Sequence, residues 1–182
     1  MQLTKESIIA ASLEILSEYG LADMTMRRLA AHLNVAPGAM YWHYKNKQAL
    51  IDATARAVLQ PLFDAPTAAL EQACMRLREA MFSYRDGAEL LSAALANPAL
   101  RAEMEAVLAA SARSDGLPRP DLAAATLLSF VLGSSMMDQA ALQQAELQEI
   151  TVADTGDAIR TLGVDSDNFT DGLRAVIAGM SN

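Results

Sequence analysis

The sequence predicts an all-α fold, and three observations carry that prediction. Apolar residues recur with the 3.6-residue period of an amphipathic helix along most of the chain. Prolines at positions 98, 118 and 120 separate the periodic stretches. Of the 182 residues, 52% are hydrophobic but only 5% are aromatic, so Ala, Leu and Met must fill the core. The length fits one or two small domains.

The first three predicted helices follow from their caps. Thr4 can cap the first helix, which ends near Gly20. Thr25 can cap the second, whose apolar side chains repeat at i, i+3, i+4 and i+7. That helix stops at Asn34, which tolerates a left-handed backbone, and Pro37 suits the first turn of a third helix. Two short helices joined by a turn of about three residues form a helix-turn-helix arrangement.

The stretch AMYWHYKNK crowds three aromatic rings and a histidine into four consecutive positions. Consecutive helical residues point about 100° apart, so these side chains cannot all face one core. We predict that Met40 packs inward, that Tyr44 turns back to the core, and that Tyr41, Trp42 and His43 face outward. A helix-turn-helix places its second helix in the DNA major groove, where such rings can contact sugars, phosphates and thymine methyl groups.

Two basic residues fit the same surface. Asn46 can cap a long helix, KQALIDATARAVLQPLF, and Lys47 lies in its first turn. Free amides and the helix dipole favour an anion there, and the lysine adds a full positive charge, so a DNA phosphate suits the site. Arg27, at the start of the second helix, can reach a guanine edge or a phosphate, with the neighbouring Arg28 as the second candidate.

The charge distribution is compatible with a small DNA-contacting surface. The net charge is -8, but residues 1–60 carry six Lys and Arg against five Asp and Glu, whereas residues 61–182 carry eight against seventeen. The acidity therefore belongs to the second part of the chain. An acidic total limits non-specific binding to DNA without forbidding a local positive contact surface.

The remainder of the chain is predicted to form a helical domain. We place helices near 68–85, 88–96, 99–113, 120–143 and 168–180. Segment 144–167 is acidic and weakly patterned, which indicates a mobile loop with at most one short helix. The predicted organisation is a helix-turn-helix domain over 1–46, a connecting helix over 47–63, and a helical domain over 64–182.

Two features bear on location. The apolar run over 122–137 is shorter than the roughly 20 residues that a membrane-spanning helix needs, lies between Asp121 and Asp138, and contains serines, so we interpret it as a helix buried by protein. The single cysteine, Cys74, excludes an internal disulfide framework and fits a reducing compartment. The chain start lacks the pattern of a signal peptide. We expect a cytoplasmic protein with no membrane contact.

The stretch from Thr4 to about Phe63 resembles the DNA-binding domain of the tetracycline repressor (TetR) family, above all in YWHYKNKQALIDA. The aromatic pair, the histidine, Lys-Asn-Lys and the following apolar helix occur at the family's spacing. This resemblance implies eight DNA-facing positions: Arg27, Pro37, Gly38, Ala39, Tyr41, Trp42, His43 and Lys47. The third helix begins Pro-Gly-Ala, which departs from the polar residues that read bases in the best-known family member, so the operator sequence does not carry over.

The second part of the chain resembles that repressor's regulatory domain in YRDGA at 84–88, FVLG at 130–133 and DSDNFTDGLRAVIAGM at 165–180. The resemblance implies an effector cavity, for which we select nine apolar residues: Phe63, Met81, Phe82, Leu91, Leu95, Met104, Leu108, Phe130 and Met137. Most of these residues also suit an ordinary core. Read without the family, Gly87 is a helix-ending glycine, and Arg85 and Asp86 form a solvated pair.

The resemblance also limits the effector. Phe63, Leu91 and Met137 stand where the tetracycline repressor holds its drug and magnesium through histidines and a glutamate. We therefore expect a less polar effector bound without metal, and no cofactor. A homodimer is expected through the helices near 120–143 and 168–180, because two recognition helices about 34 Å apart read a palindrome.

The sequence thus favours a ligand-responsive transcriptional regulator, in most cases of this family a repressor, whose partners are operator DNA and a small molecule. The alternative is a helical small-molecule binding or carrier protein without specific DNA binding. An enzyme is disfavoured, because the chain has two histidines and neither a phosphate-binding loop nor zinc-ligand spacing.

Overall fold

The computed structural model describes residues 3–64, 68–147 and 166–181, and these residues form nine α-helices and no strand. The helices are α1 (Lys5–Tyr19), α2 (Met26–His32), α3 (Pro37–Met40), α4 (Lys47–Phe63), α5 (Leu70–Phe82), α6 (Gly87–Ala94), α7 (Pro98–Ser114), α8 (Pro120–Leu147) and α9 (Ser166–Met180). The all-α prediction is confirmed, and the helix ends predicted after residue 67 agree to within about one helical turn.

The predicted caps of the N-terminal helices are confirmed. The Thr4 hydroxyl accepts a hydrogen bond from the Ser7 amide at 3.1 Å, and the Ser7 hydroxyl in turn accepts one from the Thr4 amide, which completes a capping box. At the other end of α1, Gly20 has a φ of +85° and its amide donates to the Leu16 carbonyl. Apolar side chains between these caps, such as Ile8 and Ile15, are fully buried.

The described residues divide into two compact units. The first comprises residues 3–64 and 79–101, and the second comprises residues 68–78, 102–147 and 166–181. Helix α6 therefore belongs to the same unit as the N-terminal helices, and it packs on α4. The sequence had grouped this segment with the region from residue 64 onward.

The turn before α6 differs from the sequence interpretation. Gly87 is the first residue of α6, and not the end of α5, which stops at Phe82. Asp86 is half-buried with a left-handed φ of +55°, and its carboxylate accepts a hydrogen bond from the Leu21 amide at 2.8 Å. Interpreting Asp86 as half of a solvated pair was therefore wrong, because its acceptor role involves a residue 65 positions away.

The second unit contains a buried charge pair. Arg78 on α5 donates to the Asp138 carboxylate on α8 at 2.6 Å, with both side chains at most 15% exposed. The Arg78 guanidinium also lies 4.3 Å from the centre of the Phe169 ring, which stacks on Phe130 at 5.6 Å between centroids. These contacts join α5, α8 and α9.

Helix α8 is longer than predicted. It continues to Leu147, so the residues expected to begin a loop at 144 are helical up to that point, and residues 148–165 of that loop lie outside the described residues. Among the described helices, α8 alone has a stretch, Pro120–Glu146, whose length and mean hydropathy of 1.3 also suit a membrane crossing. This stretch is longer than the apolar run 122–137 to which the length argument was applied. A core helix of a soluble protein meets the same criteria, and α8 contributes Asp138 to a protein ion pair.

Candidate nucleic-acid interface

The turn between α2 and α3 is closed by local hydrogen bonds. Asn34 takes a left-handed φ of +54°, and its amide donates to the Ala31 carbonyl at 3.1 Å. The next amide, of Val35, reaches back to the Ala30 carbonyl at 2.9 Å. This pair of bonds is the usual way in which a left-handed residue ends a helix. Pro37 then begins α3, as predicted.

The aromatic side chains lie on a turn rather than on the helix itself. Helix α3 ends at Met40, before the three ring-bearing residues that we had placed on it. The amides of Tyr41, Trp42 and His43 each donate to a carbonyl three residues back, which is 3₁₀-type geometry. This tighter winding ends the α-helix early. The turn ends at Tyr44, whose amide donates a hydrogen bond to the Met40 carbonyl at 3.0 Å.

The predicted division of inward and outward side chains is confirmed for Met40, Tyr44, Tyr41 and Trp42, whereas His43, predicted to face outward, is half-buried. Met40 is fully buried and Tyr44 is only 8% exposed. Tyr41 is 55% exposed, Trp42 is 90% exposed, and His43 is half-buried. Burial also raises the pKa of the Tyr44 phenol. A tryptophan exposed to this degree leaves most of a large apolar surface in water, which is typical of an interaction site.

Asn46 and Lys47 have the predicted local geometry. The Asn46 side-chain oxygen accepts a hydrogen bond from the Ala49 amide at 2.8 Å, which caps α4. Lys47 is the first residue of α4 and is exposed. A positive side chain at a helix N-terminus, where the dipole is also positive, makes a local anion-binding surface.

The two neighbouring arginines have different environments. Arg27 is exposed. Arg28 forms an ion pair with Asp23 and lies 3.8 Å from the centre of the Tyr19 ring, so its side chain holds the turn between α1 and α2 against the end of α1. The environment of Arg28 therefore favours a structural role, which leaves Arg27 as the arginine available to a partner.

The predicted effector residues are distributed over both compact units. Phe63, Met81, Phe82, Leu91 and Leu95 belong to the first unit, and Met104, Leu108, Phe130 and Met137 belong to the second. Met81, Leu91, Met104 and Leu108 are buried. Phe130 is held by its stack on Phe169, and Met137 is 69% exposed. Their assignment to an effector cavity stays a prediction.

Sequence reasoning missed three polar contacts. The first is the hydrogen bond from the Leu21 amide to the Asp86 carboxylate, and the second is the ion pair of Arg78 with Asp138. The third is a polar cluster that joins the start of α4 to the end of α6. Each links residues at least 45 positions apart, so no local pattern announces it. The only available sign was the i, i+4 spacing of a glutamine and an aspartate at the start of α4.

Helices α1 to α3 and the exposed aromatic and basic surface beside them define a helix-turn-helix DNA-binding protein. Residues 8–54 match the family of bacterial regulatory proteins called tetR, and residues 64–182 match the tetracycline repressor-like C-terminal domain. The chain therefore belongs to the TetR family of bacterial transcriptional regulators.

Individual relatives agree with this assignment. Over 97 residues the chain is 40% identical to the class D tetracycline repressor protein of Escherichia coli, a match that covers 49% of this chain and 44% of that protein. The chain spans about half the length of the curated relatives it matches. BioQ, solved with its natural double-stranded DNA operator, is 34% identical over 99% of both chains, with a TM-score of 0.77. A TetR variant of Acinetobacter baumannii, solved with minocycline, is 30% identical over 98% of this chain and 96% of that one, with a TM-score of 0.68.

Proposed function

We propose that the protein is a ligand-responsive repressor that binds a palindromic operator as a homodimer. The observation that carries the DNA-binding part is the surface at α3, where Trp42 is 90% exposed directly beside the fully buried Met40. The buried residue anchors the turn, and the exposed ring has no role in the core. The solved complex of BioQ with its operator supports the same use of this fold.

The proposed interface assigns a role to each exposed group. Pro37, Gly38 and Ala39 bring the backbone of α3 close to the floor of the major groove, because none of them carries a long side chain. Beyond the buried Met40, the side chains of Tyr41, Trp42 and His43 contact the sugar-phosphate backbone and thymine methyl groups. Lys47 binds a phosphate, and Arg27 reads a base edge or binds a second phosphate.

The proposed dimer forms through α8 and α9, which pack against each other. Leu122 and Met136 on α8 are large apolar side chains that are 46% and 39% exposed. Exposed apolar side chains on a long helix suit an isologous contact with a second copy, whose equivalent helices complete a four-helix bundle. Dimerisation would place two recognition helices about one helical turn of DNA apart.

The proposed effector is an apolar molecule that binds without a metal ion. We expect Phe63, Leu91 and Met137 to occupy the positions of metal and drug ligands of the tetracycline repressor, and these side chains offer only carbon and thioether sulfur. Because Mg²⁺ requires oxygen ligands, these three side chains do not coordinate it. Titration calorimetry with tetracycline and magnesium chloride should give no magnesium-dependent heat of binding, and tight magnesium-dependent binding would refute this part of the proposal.

A DNA-binding regulator of this kind works in the cytoplasm.

The direct test is selection of duplexes from a random-sequence library by the full chain, followed by affinity measurement at several salt concentrations. We expect a palindromic consensus and a steep loss of affinity with salt. Lys47→Ala should weaken all duplexes alike and reduce the salt slope by about one, whereas Arg27→Ala should cost about 1 to 3 kcal/mol and relax one base position. Selection of no consensus, or full affinity in both variants, would overturn the proposed interface.

A further inference from the structure

A polar cluster joins the first turn of α4 to the end of α6. The Gln48 side-chain amide donates to the Asp52 carboxylate at 2.8 Å and to the Ala93 carbonyl at 3.0 Å. The Asn97 side-chain amide donates to the other oxygen of Asp52 at 2.8 Å. We call Gln48, Asp52, Asn97 and the Ala93 carbonyl the α4–α6 clamp. All four groups belong to the first compact unit.

The clamp pairs polar groups at the surface of the first unit, where Gln48 is exposed and Asp52 and Asn97 are half-buried. Ala93 lies in the last turn of α6, where the carbonyl groups have no amide donor within the helix. The Gln48 side chain donates a hydrogen bond to the Ala93 carbonyl instead. Asn97 uses its side-chain oxygen to accept from the Ala99 amide at 3.0 Å at the start of α7. Its nitrogen is then directed at Asp52. Both amides and both carboxylate oxygens of the clamp therefore have defined partners, so the geometry is specific.

The hydrogen bonds of the clamp add a directional constraint on the position of α4 along α6 to the apolar packing between the two helices. Buried side chains on both helices, among them Leu50 on α4 and Leu90 on α6, hold the pair together. Hydrophobic contact is non-directional, so it tolerates small sliding movements. Hydrogen bonds of 2.8 to 3.0 Å do not, because a shift of about 1 Å takes them beyond bonding distance.

The position of the clamp connects it to the proposed DNA surface. Gln48 directly follows Lys47, and Asn46 caps the same turn. A displacement of this turn moves the Lys47 ammonium group relative to α3. The clamp therefore lies between a proposed phosphate contact and α6, although none of its own side chains is part of the interface that we assigned.

We propose that Gln48, Asp52 and Asn97 are positioning residues for DNA binding, which hold Lys47 in register by fastening the first turn of α4 to α6. The proposal rests on the proposed function. It has a consequence that a purely stabilising cluster lacks: binding of DNA at the first turn of α4 should order the backbone of α6. It also requires that restoring the hydrogen bonds with different residues restores DNA affinity.

The test exchanges the two partners in the clamp. Asn97→Asp places a second carboxylate against Asp52, and the two negative groups repel. The double variant Asp52→Asn with Asn97→Asp exchanges the hydrogen-bond donor and acceptor. It has the same net charge as the unchanged chain, and it leaves an oxygen at position 97 to accept a hydrogen bond from the Ala99 amide. The probe is the duplex that the full chain selects from a random library. We expect about tenfold weaker binding for Asn97→Asp, and affinity within about twofold of the unchanged chain for the double variant.

Hydrogen exchange gives the readout that a structural role would not move. In the unchanged chain, the selected duplex should slow amide exchange in α6, from Gly87 to Ala94. In Asn97→Asp, the duplex should protect α3 but no longer α6. Gln60→Ala is the matched control, because Gln60 donates to Asp64 at 2.8 Å with the same i, i+4 spacing at the far end of α4. This control should change neither affinity nor the exchange of α6.

The outcomes separate the two proposals. If the full chain selects no duplex, the proposed function fails and the clamp proposal fails with it. If it selects one but Asn97→Asp binds normally, or the double variant stays weak, or DNA leaves α6 exchange unchanged in the unchanged chain, only the clamp proposal is overturned. If Asn97→Asp does not fold by circular dichroism, Gln48→Ala replaces it, because that variant removes two hydrogen bonds without adding a charge. It should then show the same loss of α6 protection, and normal protection would overturn the proposal.

Discussion

Replacing Gly87 by alanine tests how tightly the turn before α6 packs. A Cβ atom there would lie 2.0 Å from the carbonyl oxygen of Met81, 2.9 Å from its carbonyl carbon and 3.1 Å from its Cα. Real Cβ contacts are not shorter than 3.0 Å, and all three of these atoms are backbone, so no change of side-chain rotamer relieves the clash. The backbone must move by about 1 Å or more.

The expected cost follows from two opposing effects. Forcing an extra methyl group into packed structure costs about 1 to 3 kcal/mol, and a backbone clash belongs at the upper end of that range. Alanine also reduces the freedom of the unfolded chain, which returns about 0.4 to 1 kcal/mol. We therefore expect Gly87→Ala to lower the free energy of unfolding by about 2 kcal/mol.

The measurement is urea unfolding followed by circular dichroism, at one fixed protein concentration because the stability of the proposed dimer would depend on concentration. Gly38→Ala is the control, since a Cβ at Gly38 meets no atom within 4 Å. That variant should be as stable as the unchanged chain or more stable by up to about 1 kcal/mol. If Gly87→Ala matched or exceeded the unchanged chain while Gly38→Ala behaved as expected, the close approach of Gly87 to Met81 would be refuted.

Three further predictions concern the recognition turn, the buried ion pair and the cysteine. Met40→Ala should cost about 2 to 5 kcal/mol of unfolding free energy because its side chain is fully buried, whereas Trp42→Ala should change stability by less than about 0.5 kcal/mol and weaken binding to the selected duplex. Equal effects of the two variants on urea unfolding would contradict the assigned orientations. Arg78→Ala should cost about 3 to 5 kcal/mol in the same assay because it leaves Asp138 buried without its ion-pair partner, and a loss below about 1 kcal/mol would count against that pair. Burial raises the pKa of the Cys74 thiol to about 12, so iodoacetamide at pH 8.5 should label it, by mass spectrometry, only in urea. Because the thiol ionises at lower pH in the unfolded chain, this group's contribution to stability is complete below about pH 9 and is lost as the pH rises toward 12.

The candidate DNA surface was largely predictable because its determinants are local. The caps at Thr25 and Asn46 each involve a residue three positions away, and the left-handed Asn34 closes its turn with neighbouring carbonyls. The alternation of buried and exposed side chains around Met40 follows from the same short segment. What sequence reasoning misjudged was the end of α3, where the winding changes from α to 3₁₀ after Met40.

The sequence by itself determined the helical class, the order of the helices and the family, because capping and apolar periodicity act over three or four residues and leave a readable pattern. Only the tertiary structure decided that α6 joins the N-terminal helices, that Asp86 accepts a hydrogen bond from the Leu21 amide, and that Asn97 reaches Asp52. The physical reason is distance along the chain. A hydrogen bond or a steric contact between residues 45 or 65 positions apart forms only after the helices pack, and neither partner's identity alone specifies the other.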